Sequence, residues 1–262
     1  MKHAPSDTTS RKAKRIGIPL AVVVGTIACW HLAIISGLVP NFLMPTPLQV
    51  AQALASDWQL LASHAGTTLV EAAIGLAAGV ALGFVAAVAM DRFEVIYLAL
   101  SPLITVSQTI PTVAIAPLLV LWLGYGILPK IVLITLTTFF PVAISLIAGF
   151  TSVDADTVNM LRSMGASRWD IFRYAKLPEA ADHFFSGLKI SATYAIIGAV
   201  IAEWLGGDAG LGVYMTRVRK SFSYDRMFAV IIVISALSLM LIKIIDILKK
   251  ICMPWKHTER NE

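Results

Sequence analysis

Between about residue 16 and residue 250 the chain alternates long apolar runs with short polar connections. Read at about 20 residues per crossing of a hydrocarbon layer ~30 Å thick, the runs predict six transmembrane helices. They fall near 16–36, 66–90, 95–122, 129–150, 184–205 and 227–248. The third run is interrupted by Pro102, Pro111 and Pro117, which predicts a kinked or partly unwound span. Such a break is tolerated at membrane depth only where protein or water re-satisfies the freed backbone groups, so it points to a pathway. The second run carries Gly75, Gly79 and Gly83 at every fourth position, a stripe that lets another helix approach closely. The connection from Gly37 to Ala65 holds Met44-Pro45-Thr46-Pro47 and then a mildly amphipathic stretch from Leu48 to Leu61, expected to lie along the outer interface. The resulting fold class is all-α and polytopic, with a basic tail at 1–15, a transmembrane domain at 16–250 and a second tail at 251–262.

Composition agrees with the pattern. Hydrophobic residues make up 57% of the 262 and charged residues only 14%, against roughly 25% charged in soluble domains, and mean hydropathy is +0.77. The net charge of +5 would suit a nucleic-acid partner if it were gathered on one face, but the cations sit between apolar runs and act as topology signals. With both termini inside, the inner connections hold 16 of the 21 basic residues; Lys130, Arg217, Arg219, Lys220 and Arg226 fall outside. Both termini and the 151–183 loop are therefore expected to be cytosolic. The first run, headed by Arg11, Lys12, Lys14 and Arg15, resembles a secretory signal but is too long and has no Ala-x-Ala site, so it is expected to remain as the first helix.

The longest cytosolic connection has its own pattern. Asp154 and Asp156 suit a helix N-terminus, after which Val158, Leu161 and Met164 share one face. Gly165 is expected to stop that helix. A second starts at Ser167 as N-cap, turns Ile171, Phe172 and Ala175 to its apolar side, and is expected to end at Pro178. Arg162, Arg168, Arg173 and Lys176 surround this face. Physics leaves two readings open: a surface lying on anionic lipid, or one filling a groove on a cytosolic partner.

The spacing of Gly165, nine residues, then Ala175-Lys176-Leu177-Pro178 resembles the motif EAA, three residues, G, nine residues, I-x-L-P of permease subunits of binding-protein-dependent ABC importers. The EAA positions are here Asn159, Met160 and Leu161, and Ala175 stands for the isoleucine. The resemblance continues through Pro45-Thr46-Pro47, Gln108-Thr-Ile-Pro111, Phe139-Phe140-Pro141, Ser186-Gly-Leu-Lys189 and Gly206 to Gly212. It is similar to the branch importing nitrate, sulfonates, taurine and thiamine-precursor pyrimidines. The stretch Gly198-Ala-Val-Ile-Ala-Glu203-Trp204-Leu-Gly206 looks closest to the pyrimidine subgroup.

That resemblance implies a type I importer fold, alternating access, and coupling of the loop to a separate ATPase carrying ATP and Mg. The coupling residues it implies are Asn159, Leu161, Met164, Gly165, Ala166, Ser167, Ile171, Phe172, Leu177 and Pro178. It also implies a substrate-binding protein and a permease dimer, expected to be a homodimer in an inner-membrane bilayer. No cofactor is expected on this chain.

Candidates for the pathway are Glu71 and Glu203, placed near the outer ends of their spans, Gln108 beside the Pro111 break, and Tyr194. Trp122, Tyr125 and Trp204 read as an interfacial aromatic belt. The loop from Gly206 to Gly212 lacks a following Lys-Ser or Lys-Thr, so it reads as a turn before a short re-entrant helix and not as a phosphate loop. Cys29, Cys252 and the five histidines show neither disulfide nor metal spacing, and no catalytic constellation occurs. The reading from another class is a membrane scaffold or enzyme subunit whose loop lies on lipid. A secondary transporter is disfavoured by the few charges at span centres.

Overall fold

The computed structural model describes residues 7–107 and 109–254, the side chains of 7–16 excepted. Gln108, the tail from 255 onward and the side chains of Arg11, Lys12, Lys14 and Arg15 lie outside the described residues. Among those described, all regular structure is helical. In chain order the helices are α1 (Asp7–Ile35), α2 (Pro47–Ser56), α3 (Trp58–Arg92), α4 (Glu94–Ser107), α5 (Thr112–Leu123), α6 (Ile127–Thr151), α7 (Ala155–Ser163), α8 (Arg168–Ile171), α9 (Leu177–Gly206), α10 (Leu211–Lys220) and α11 (Tyr224–Cys252).

Among the described residues five helical stretches are long and apolar enough to cross a membrane, and the pair α4 and α5, bent by 104°, makes a sixth if the two count as one broken span. The bend follows from Pro111, which lacks an N–H and stands immediately before α5 with extended backbone. Two boundaries differ from the sequence expectation. The amphipathic stretch from Leu48 to Leu61 is not one element: α2 ends at Ser56, and Leu61 is fully buried inside α3. The Thr46 hydroxyl and Gln49 side chain close a capping box that starts α2, worth about 1 kcal/mol. Pro178 does not end the second loop helix either. Residues Phe172–Lys176 form a π turn in which the Leu177 N–H reaches the Phe172 carbonyl. The wider ring absorbs the missing donor of Pro178, so α8 runs through into α9.

The chain divides into two compact units. One comprises Met1–Trp58 with Arg217–Ile231; within it Val50, Ala53 and Ala229 are buried together, Trp30 packs on Phe228 at 5.7 Å, and Arg226 pairs with Asp57 at 3.2 Å. The other comprises Gln59–Thr216 with Ile232–Glu262, and its core is the packing of α3, α6 and α9. Ala72, Ile134 and Ile196 fill one layer of that core, and Ala87, Val142, Leu146, Phe150 and Ala180 another.

Lipid tails are as apolar as leucine, so burial drives this packing less than close contact does. The glycine stripe of α3 supplies it. A Cβ at Gly75 would meet Ile134 at 2.5 Å, one at Gly79 the Thr138 Oγ1 at 1.9 Å, and one at Gly83 Val142 at 3.1 Å. The hydroxyls lie in the same seam: Ser191 donates to the Thr138 carbonyl at 2.7 Å, and Thr135 to that of Gly75 at 3.3 Å.

Replacement of Gly79 by alanine is expected to lower stability in detergent by about 1–3 kcal/mol, the range for overpacking a dense contact. Gly66, on the same helix with nothing within 4 Å of its Cβ position, is expected to accept alanine with no loss or a gain of up to about 1 kcal/mol. Thermal unfolding of both variants checks the contrast.

Candidate functional site

Three arrangements in the larger unit concern function: the loop of α7 and α8, a cavity at the α4–α5 break, and a buried polar junction at the start of α10.

The loop folds from local signals. Asp154 caps α7 by accepting from the Asp156 N–H. At the other end Gly165 takes φ +85°, its N–H reaches the Arg162 carbonyl at 3.0 Å, and the Ala166 N–H reaches that of Leu161 at 3.0 Å. This double closure needs a left-handed residue, which glycine adopts without steric penalty. Ser167 then opens α8 with a capping box to Asp170.

The apolar residues do not all face outward. Ile171 is only 4% exposed and the Phe172 ring lies 5.3 Å from that of Phe150, so both tie the loop to the helical body. The large exposed apolar groups are instead Met160, Met164 (77% exposed), Trp169 and Tyr174. Asn159 is exposed, Leu161 and Ala166 are half-buried, Leu177 is at the margin of exposure, and Pro178 sits in the first turn of α9. Trp169 and Tyr174 are not among the apolar positions that helical spacing from Ser167 marks; they take the exposed side because Ile171 and Phe172 on the same segment turn inward, and Tyr174 lies within the π turn.

A cavity of about 540 Å³ opens where α4 and α5 meet α6 and α9. Its wall includes Pro111, Thr112, Thr137, Phe140, Tyr194 and Gly198, and none of the described lining residues is charged. Pro111 and Tyr194 were pathway candidates and line it; Gln108 lies outside the described residues. Glu71 and Glu203 do not line it. They are 3% and 1% exposed, packed within the helices and not reaching interfacial water.

Glu203 instead helps to cap α10. Its two oxygens accept from the Thr68 hydroxyl at 2.7 Å and the Gly212 N–H at 2.6 Å. Thr68 Oγ1 in turn accepts the Leu211 N–H at 2.9 Å, and His64 Nδ1 accepts that of Gly210 at 2.9 Å. Three successive backbone donors at the head of a helix are thus satisfied by side chains of α3 and α9. Gly210 (φ +121°) and Gly212 are required by this approach: a Cβ would fall 2.2 Å from the Glu203 Cδ in the first case and 2.4 Å from the Val200 carbonyl in the second.

Beside this cap the buried Lys130 Nζ pairs with Glu71 Oε1 at 2.6 Å, while Glu71 Oε2 has no hydrogen-bond partner among the described residues. Lys130, expected in an outer connection, is thus inside the first turn of α6 and 6% exposed. A sequence signal for the junction exists: His64, Thr68 and Glu71 continue, at spacings of four and three, the stripe of Gly75, Gly79 and Gly83.

Residues 79–256 match the family model described as binding-protein-dependent transport system inner membrane component. The chain is 35% identical over 228 residues to a probable ABC transporter permease protein of Haemophilus influenzae, covering 87% of this chain and 93% of that one. It is 34% identical over 219 residues to the formylaminopyrimidine transport permease protein ThiX of Halalkalibacterium halodurans, covering 83% and 88%. It is 30% identical over 248 residues to the taurine transport system permease protein TauC of Escherichia coli, covering 88% of each. Among solved structures, the crystal structure of an amino acid ABC transporter with histidines superposes with a TM-score of 0.61 at 21% identity, covering 76% of this chain and 97% of that one.

Lys130→Met is expected to cost about 3–5 kcal/mol by stranding the Glu71 carboxylate, and adding Glu71→Leu to restore most of it. Glu203→Ala leaves two buried hydrogen bonds unmade and is expected to cost about 2–4 kcal/mol, whereas Glu203→Gln, which keeps an acceptor for Gly212, recovers more than half. Unfolding midpoints of the four variants in detergent test both statements.

Proposed function

Because the chain belongs to the binding-protein-dependent transport inner-membrane component family, and is therefore the permease subunit of an ATP-binding-cassette importer, we propose that the α7–α8 loop is its coupling element and the cavity beside Pro111 part of its pathway. Partners in this family are ATPase subunits and substrate-binding proteins. The observation that carries the coupling reading is the loop's construction. Gly165 and the Ser167–Asp170 box make a rigid helical corner, Ile171 and Phe172 anchor it inward, and Met160, Met164, Trp169 and Tyr174 remain in solvent. Bulky apolar and aromatic groups on a fixed corner suit insertion into a groove on another protein.

In this reading the loop and both termini are cytosolic, ATP and Mg are held by the ATPase, and two copies of this chain enclose the path. Closure of the ATPases moves the two loops. That motion passes through Phe172 and Phe150 into α6 and α9, and access alternates from the cytosolic to the outer side. Gln108 stays in the proposed path with Pro111 and Tyr194, whereas Glu203 serves it indirectly by capping α10 and Glu71 by pairing α3 with Lys130 of α6.

The proposed cargo is a thiamine-precursor pyrimidine. An uncharged cavity wall with Phe140, Tyr194 and threonine hydroxyls suits a neutral heteroaromatic solute better than a sulfonate, which would pass without a counter-charge. The similarity to the formylaminopyrimidine permease agrees with this preference.

Gly165→Val forces a β-branched residue to φ +85° at a cost of about 1–2 kcal/mol. It is expected to reduce uptake about tenfold or more in a reconstituted transporter while ATP hydrolysis continues; uptake equal to wild type counts against the coupling role. The ligand found in the binding protein that feeds this permease tests the cargo. A pyrimidine supports the assignment, and a sulfonate or nitrate overturns it while leaving the permease role intact.

A further inference from the structure

We infer that the cleft beside the loop is a binding site for an anionic phospholipid, with the lipid phosphate among Arg92, Arg162 and Arg168 and an acyl chain along Val88, Tyr97 and Ile147. The cleft, about 480 Å³, lies between the end of α3 and the α7–α8 corner. A second hollow of about 420 Å³ adjoins it, sharing Asp91, Arg92 and Arg168 and continuing past Tyr97 and Ile147.

The charged groups facing the two hollows are Arg92, Arg162, Arg168 and Lys176 against Asp91 and Glu94. Lys176 is already engaged by Asp91 at 2.5 Å. Arg92 lies 5.7 Å from the centre of the Phe93 ring, and among the described residues none of the three arginines has a carboxylate within ion-pair distance. Two positive charges are therefore uncompensated at the mouth of the cleft. Guanidinium groups bind phosphate through paired N–H donors, which suits them to this ligand.

Placement selects the source of the phosphate. Arg92 is the last residue of the spanning helix α3, and Lys176 immediately precedes α9. The cations thus stand where apolar spans end, and Val88, one turn back along α3, and Ile147 of α6 carry the wall toward the hydrocarbon. A cationic mouth continuous with an apolar wall fits an amphiphile. An acidic protein segment or a free phosphate would use the arginines and leave the wall empty. Filled in this way, the site braces the α7–α8 corner against α3. The inference rests on the chain's place in the membrane and not on the loop's engagement of an ATPase.

The test uses the permease with its ATPase in phosphatidylcholine nanodiscs carrying phosphatidylglycerol, with retained lipid counted by native mass spectrometry. At roughly one tenfold step per 1.4 kcal/mol and about 1 kcal/mol per cation, R92Q/R168Q is expected to hold phosphatidylglycerol about thirty-fold more weakly. Arg162→Gln alone, on an exposed helix, is expected to hold it about five-fold more weakly and covers the case in which the double variant does not fold. Arg219→Gln, on α10, is expected to match wild type. Retention of phosphatidylglycerol no better than phosphatidylcholine, or unaltered in both variants, overturns the site. Displacement by inorganic phosphate assigns it to the free anion, and retention of phosphatidylglycerol only when the ATPase is omitted assigns it to an acidic protein group; either result overturns the lipid.

Discussion

A helix that begins within a protein packed inside a bilayer has no water to receive its first N–H groups, and leaving each one bare costs several kcal/mol. The start of α10 meets this constraint with His64, Thr68 and Glu203, one side chain for each of three consecutive donors. Much else in the larger unit follows from that solution. Glu203 must be close enough to serve Gly212, so Gly210 and Gly212 cannot carry side chains. Thr68 must face α9 while Glu71, one turn on, meets Lys130, so α3 is held in rotational register by polar contacts as well as by its glycines.

The same register brings α3 against α6 closely enough that glycine side chains have no room, and α6 against α9 through Ser191 and Gly187. Contacts this tight transmit displacement instead of absorbing it, because dense interiors deform little. Ile171 and Phe172 attach the loop to this block through Phe150 of α6. A force applied to the exposed aromatic and methionine groups of the loop therefore has a packed route to the helices that border the cavity.

The break between α4 and α5 answers the opposite need. Pro111 prevents one straight helix, and the bend leaves a cavity bordered by α6 and α9 whose described lining carries no charge. Irregular backbone at membrane depth is tolerable where it lines a cavity, as Ile110 and Pro111 do here. Ionisable groups are kept out of the cavity wall and gathered in the junction, where they pair or accept backbone hydrogen bonds.

The sequence alone determined the helical spans, the loop's corner at Gly165, the N-cap at Ser167 and the glycine seam of α3, because each depends on neighbours within one or two turns. Apolar periodicity, caps and proline positions act at that range. What only the tertiary structure decided lies farther along the chain. The pairing of Glu71 with Lys130 spans 59 residues and that of Thr68 with Glu203 spans 135, and nothing local shows that two carboxylates near helix ends are buried with these partners. The inward turn of Ile171 and Phe172 was hidden for a related reason. Helical periodicity predicts which residues share a face, but which way that face points is set by what packs against it, here Phe150, and by a π turn that allows the helix to continue past Pro178.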